Sequence, residues 1–104
     1  MMKITVQGFD WDDGNREKCG KHGLSVEMVE ELFRGDVQIL GDPKHSTVED
    51  RFIAVGRALS GRPMFVGFTY RRKGKELFIR PISARFMHKK EAEKYVKACF
   101  EIEK

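Results

Sequence analysis

The stretch MFVGFTYRRKGKELFIRPIS, Met64 to Ser83, decides the fold. Met64 to Tyr70 and Glu76 to Ser83 are rich in β-branched and aromatic residues, which fit a pleated surface. Arg71 to Lys75, with Gly74 inside, reads as the turn between them. A parallel crossover needs a dozen residues or more, so this connection predicts an antiparallel hairpin. Upstream, Glu49 to Leu59 is a further extended segment, joined to Met64 by the loop Ser60-Gly61-Arg62-Pro63. Val37 to Leu40 is a short strand, turned by Gly41-Asp42-Pro43. The result is an antiparallel meander of three or four strands.

On either side of the meander the periodicity is helical. Asp12 or Asp13 caps a helix running to about His22, and Gly23 supplies the left-handed exit. Ser25 caps a second helix, with Leu24 before the cap and Val29 after it as a hydrophobic staple. Met28, Val29, Leu32 and Phe33 form its apolar stripe, and Gly35 ends it. The two make a helical hairpin. Lys3 to Val6 reads as a first strand, ended by Gln7-Gly8. Lys89 to Ile102 reads as a final helix with Ala92, Tyr95, Val96, Cys99 and Ile102 on one face. The order is strand, two helices, meander, helix. That predicts an α+β fold: a compact antiparallel β-sheet meander with an N-terminal helical hairpin and a C-terminal helix.

A chain of 104 residues allows one domain, 1–104, with a modest core. The charged fraction is high, 35%, so the core is thin and the surface strongly charged. A net charge of +4 permits an anionic partner without requiring one. Cys19 and Cys99 have no metal-binding spacing and fit helical patterns as small buried residues, which is compatible with a reducing cytoplasm. No stretch has the apolar length of a signal peptide or membrane span. The three histidines match no metal-binding spacing, and neither a Walker sequence nor GxGxxG nor GxSxG is present.

The basic residues are sorted. Arg51, Arg57, Arg62, Arg71, Arg72, Arg80 and Arg85 fall in the sheet region, whereas lysines dominate the last helix. Arginine offers a planar fork that grips phosphate with two hydrogen bonds, and lysine is a solvated point charge. Such arginines are either a phosphate-binding set or the solvent face of a sheet. Three clusters sharpen the choice. Lys21-His22-Gly23 ends the first helix, where the negative dipole end suits a cation. His22 either donates a proton or holds phosphate there, or it caps the last carbonyls. Glu49 and Arg51 are two apart and share a face if extended. The carboxylate either serves as a base beside its arginine or forms a cross-strand ion pair. In IRPISARF, Arg80 lies on the face of Phe78, Ile82 and Ala84 if the strand is regular, while Arg85 falls beyond it. Ser83 and Arg85 then sit at one rim.

Taken in order, these pieces resemble a known family. FDWD, a helix ending in Lys21-His22-Gly23, a second helix from Ser25, His45-x-x-x-Glu49-x-Arg51 and Ile82-Ser83-Ala84-Arg85 together resemble the BrnT toxins of type II toxin-antitoxin systems. The resemblance runs from about Phe9 to Tyr95. It implies a RelE-like fold and a cytoplasmic ribonuclease that inhibits translation without a metal or cofactor. It also implies a BrnA-like antitoxin with a ribbon-helix-helix part, through which the complex reaches operator DNA. Carried across, it assigns catalytic roles to Lys21, His22, Glu49, Arg51, Arg80 and Arg85, and substrate contacts to Trp11 and Ser83. Trp11 either stacks on a base or fills the core. The alternative function is a non-catalytic interaction module, or a degenerate toxin, binding an antitoxin or nucleic acid through the arginine-rich face. Pro81 departs from the family pattern, which has an apolar residue there. Proline cannot donate to a ladder, so this stretch is expected at an edge or in a bulge.

Overall fold

The hairpin turning at Gly74 is the spine of the molecule. In the computed structural model, residues 6–35, 37–45 and 49–94 are described. The elements are β1 (Gly8–Phe9), α1 (Asp13–Gly20), α2 (Val26–Arg34), β2 (Gln38–Gly41), a short 3-10 turn (Pro43–His45), β3 (Phe52–Arg57), β4 (Pro63–Lys73) and β5 (Glu76–Phe86). A third helix, α3, starts at residue 89 and is described to 94. The rest of the expected last helix, with Tyr95, Val96, Cys99 and Ile102, lies outside the described residues, as do residues 3–5 of the expected first strand.

The architecture is α+β, and its sheet is mixed. Strands β2, β3, β4 and β5 run antiparallel, as the short loops require, and β1 adds to β5 in parallel, giving the order β1-β5-β4-β3-β2. Gln7-Gly8 therefore does not end the first strand. Gln7 N–H donates to Leu77 O at 2.8 Å and Asp10 N–H to Ile79 O at 2.8 Å, so the pairing falls where β5 offers a free edge.

Strands β4 and β5 are longer than their propensities suggest. Strand β4 continues through the arginine-lysine run to Lys73, which pairs with Glu76, leaving only Gly74-Lys75 as the turn. Gly74 has φ +63°, and Lys75 is not in the positive-φ region. A glycine at the first of two turn positions is the type II′ arrangement, whose twist matches the flanking strands. Arg71 thus sits in a strand rather than in a loop. At the other end β5 continues to Phe86, so Arg85 lies inside it. Strand β3 is shorter than expected, and Glu49 and Arg51 precede it.

Helix α1 starts where Asp12 caps it. Asp12 Oδ1 accepts from Asn15 N–H at 3.0 Å, and Asn15 Oδ1 accepts from Asp12 N–H at 2.7 Å. The helix ends at Gly20, earlier than expected. Lys21 is its C-cap, and Gly23 turns out with φ +84°. Ser25 caps α2 as expected, its Oγ accepting from Met28 N–H at 3.2 Å.

Both helices cover one face of the sheet. Val29 and Leu32 of α2 and Cys19 of α1 are buried with Met64, Val66, Phe68 and Ala54. Phe33 meets Phe68 edge-on at 5.1 Å, and Phe52 and Tyr70 extend the aromatic cluster. Burial pushes the Cys19 thiol up to about 11, so it packs as a small apolar group. Helix α1 also closes the edge of β5 that β1 does not reach. The buried Asn15 donates Nδ2–H to Pro81 O at 2.8 Å and to Asp10 O at 2.9 Å.

Pro81 sits beside a bulge and on the part of β5 that β1 does not reach. Phe68 pairs with Pro81 and Gly67 with Ser83, so Ile82 has no opposite number. Before Ile82 the odd positions Ile79 and Pro81 face the core; after it Ala84 does. Ala84 therefore lies on the face opposite Arg80, contrary to regular alternation. The phase change also brings Arg80, Ser83 and Arg85 to one face, across from Thr69, Gly67 and Phe65 of β4. Helices α1 and α2 pack against the other face, while among the described residues α3 meets this one only at its start, through Glu91 and Arg85.

Candidate active site on the open sheet face

The open face gathers charge from three segments. Arg80 projects from β5. Its Nη2 donates to Asp12 Oδ2 at 2.7 Å and its Nη1 to Asp10 Oδ2 at 3.3 Å. Lys73 Nζ donates to the other Asp10 oxygen at 3.1 Å. Burial raises the Asp10 carboxyl, but Lys73 and Arg80 outweigh it and hold it below the usual carboxylate range. The Asn15 N–H and then Arg80 lower Asp12, and Asp12 in turn raises the Arg80 guanidinium. Two carboxylates and the helix start thus fix the direction of one arginine.

The second contribution is the segment before β3. Thr69 is buried on this face, and its Oγ1–H donates to Asp50 O at 2.7 Å. Asp42 N–H donates to Arg51 O at 2.9 Å. These bonds hold residues 49–51 over the sheet. Glu49 then lies between two guanidiniums, 3.7 Å from Arg51 Nη2 and 3.6 Å from Arg71 Nη2. Glu49 and Arg51 pair within one segment outside a strand, and the ion pair that Glu49 makes to a neighbouring strand is with Arg71.

The two contributions enclose a cleft of about 440 Å³ lined by Lys18, Glu49, Arg51, Arg71, Arg80 and Ile82, with Asp12 at its rim. Four cations and two carboxylates, Asp12 and Glu49, line one open cleft, and such groups are able to hold an anion and to transfer a proton. Beside it is a smaller cavity of about 180 Å³, which shares Arg51 and Ile82 and includes Ser83 in its lining.

The remaining expected residues are placed differently. Arg85 lies on the same face, but its guanidinium stacks 4.2 Å from the Phe65 ring centroid and donates two hydrogen bonds to Glu91, both 2.8 Å. The Arg85 hydrogen bonds, with the His88 N–H, lower Glu91 to about 2. Lys21 and His22 are exposed in the turn after α1 and line neither cavity. Helix α1 has ended at Gly20, so neither continues the row of Gly14 and Lys18 along the cleft wall. Trp11 is packed against the core, and its Nε1–H donates to Glu30 Oε2 at 2.9 Å, on the α2 side. It too lines neither cavity. Lys18 and the two aspartates are further members that sequence reasoning missed. Asp12 reads locally as a cap, and Lys18 as a solvated helix residue. Only the 68-residue contact from Asp12 to Arg80 reveals the other role.

Among the described residues, no group of three or more His, Cys, Asp or Glu is arranged to hold a metal ion, and no helix is long and apolar enough to cross a membrane. Comparison with curated proteins finds no match. A family model described as the ribonuclease toxin, BrnT, of type II toxin-antitoxin systems matches residues 11–91. That span holds both helices, the meander and every side chain lining the cleft. The chain belongs to the BrnT family of type II toxin-antitoxin ribonuclease toxins.

Proposed function

We propose that this chain is an active endoribonuclease that cleaves RNA without a metal ion. The observation that carries the reading is Glu49 held between Arg51 and Arg71 in the cleft that Arg80 closes. In the reaction, the ribose 2′-hydroxyl attacks the neighbouring phosphorus and the 5′-oxygen leaves. Arg51, Arg71 and Arg80 neutralise the charge on the phosphate oxygens, with Lys18 at the wall. Glu49 takes the 2′-hydroxyl proton, and Arg51 and Arg71 fix its direction. Lys21 and His22, in the turn after α1, meet the departing strand, where His22 is the candidate proton donor. Ser83 contacts the nucleotide beside the phosphate. Arg85 joins the site when Glu91 lets go.

The family also supports an antitoxin partner, proposed to be BrnA-like with a ribbon-helix-helix part that reaches operator DNA, and activity in the cytoplasm. One observation favours a second reading. Arg80 and Arg85 already have carboxylate partners, as they would in a module that docks an acidic protein without cleaving RNA.

A cleavage assay in EDTA separates the two. Wild type should cut a mixed RNA. Glu49→Gln and Arg80→Lys should be slower by about 10²–10³-fold, the scale for losing one group that stabilises the transition state, at unchanged melting temperature. Folded wild type that leaves RNA intact, or variants that cut as fast as wild type, would refute the mechanism.

A further inference from the structure

The smaller cavity on the open face has a chemistry unlike its neighbour. Its apolar side chains are Ile53, Phe65 and Ile82, on a face otherwise dominated by charge, and Arg85 stacks on the Phe65 ring beside it. Its floor is open because Gly67 has no side chain: a Cβ there would come 2.9 Å from Ser83 Oγ. Polar groups enter at the margin, from Asp42 and Ser83. Arg51 lines both cavities, so a group seated in the small one lies directly beside an anion in the large one.

A flat ring with apolar faces, a hydrogen-bonding edge and a covalent link to phosphate meets all four conditions. We propose that this cavity is the subsite for the nucleobase next to the bound phosphate and that it favours guanine. This inference rests on the RNA-cleavage reading for its substrate, and it adds what selects the cut. The ring faces pack against Phe65 and Ile82, as bases do on apolar and aromatic platforms in single-strand binding. The Asp42 carboxylate can accept several hydrogen bonds and keep a protein partner while doing so. Guanine presents two neighbouring donors, N1–H and N2–H, whereas uracil presents a single N–H between two carbonyls. A carboxylate therefore favours guanine. The Ser83 hydroxyl both donates and accepts, and it serves the ring's other polar atoms.

The test is a titration of the full chain, followed by backbone amide shifts, with inorganic phosphate, guanosine 3′-monophosphate and uridine 3′-monophosphate. Guanosine 3′-monophosphate should bind at least tenfold more tightly than phosphate and move the Gly67 and Ser83 amides. Phosphate alone should move only residues around Arg71 and Arg80. Gly67→Val fills the floor, and Ser83 Oγ can rotate to admit it. This variant should bring the nucleotide down to phosphate affinity while phosphate binds as before. Asp42→Asn, a second variant, should narrow the preference for guanosine over uridine. Both nucleotides binding no better than phosphate would overturn the base subsite and leave the cleavage reading standing. So would guanosine binding that is indifferent to Gly67→Val. Tight guanosine binding without phosphate binding or RNA cleavage would sink the cleavage reading and keep the subsite.

Discussion

Asp12 serves two structures with one carboxylate. Oδ1 caps α1 through Asn15 N–H, and Oδ2 holds Arg80. The two roles separate by substitution, because asparagine caps a helix about as well as aspartate does. Asp12→Asn should keep the melting temperature near wild type yet leave Arg80 to Asp10 alone. RNA cleavage should then fall by roughly tenfold to a hundredfold, the range expected when a catalytic group is misplaced by about 1 Å. Asp12→Ala should show the same loss and also cost about 1 kcal/mol of stability in a urea titration. Equal activity in all three proteins would remove Asp12 from the site. The sequence marks Asp12 as a cap from its local pattern. Its second role depends on a partner 68 residues away, which no local pattern encodes.

At the scale of elements, α3 is fastened to the sheet through Glu91 and Arg85. The folded-state value of Glu91 is about 2, against an ordinary 4.5. A lowered acid stabilises the fold in its charged form. The contribution is fully present above pH 4.5 and is lost as pH falls toward 2. The melting temperature of wild type minus that of Glu91→Gln should therefore be positive and constant above pH 4.5 and should shrink below it. A difference independent of pH would show that the pair adds nothing through charge. Strand β5 shows how far an element can be read from residues. Its place beside β4 follows from the short turn at Gly74, and Pro81 signals the irregularity. The position of the bulge does not follow, because it is set by the register of β4 and by the Asn15 side chain meeting Pro81 O. Regular alternation places Arg80 with Ala84, whereas the bulge places it with Ser83 and Arg85. Glu49 and Arg51 were visible as a pair from their spacing. Their meeting with Arg71 needs the longer β4 and the Thr69 bond to Asp50 O, both products of tertiary packing.

Among the described residues, the sheet has one face covered by α1 and α2 and another on which the charged cleft lies open. The aromatic cluster around Phe68 draws both helices to one side, and the charged side chains are left to the other. The order of elements and the helical faces give this layering from sequence, since an apolar stripe on α2 must meet an apolar face of the sheet. The net charge of +4 says little about which face binds, and the proposed site on the open face is tested by salt. If Arg51, Arg71 and Arg80 each neutralise a phosphate charge, the logarithm of the RNA-binding constant should fall with the logarithm of salt at a slope of about −2, near −0.7 per contact. Arg71→Ala should make that slope shallower by about 0.7, whereas Arg57→Ala, outside the cleft, should leave it unchanged. Equal slopes in all three would place the RNA elsewhere. The long reach from Asp12 to Arg80 also sets a clock. At about 5–20 residues per second, a ribosome makes the second partner roughly 3–14 seconds after the first, so the cleft cannot exist before Arg80 is made. Its completion waits on the later partner, and an antitoxin has that interval in which to arrive.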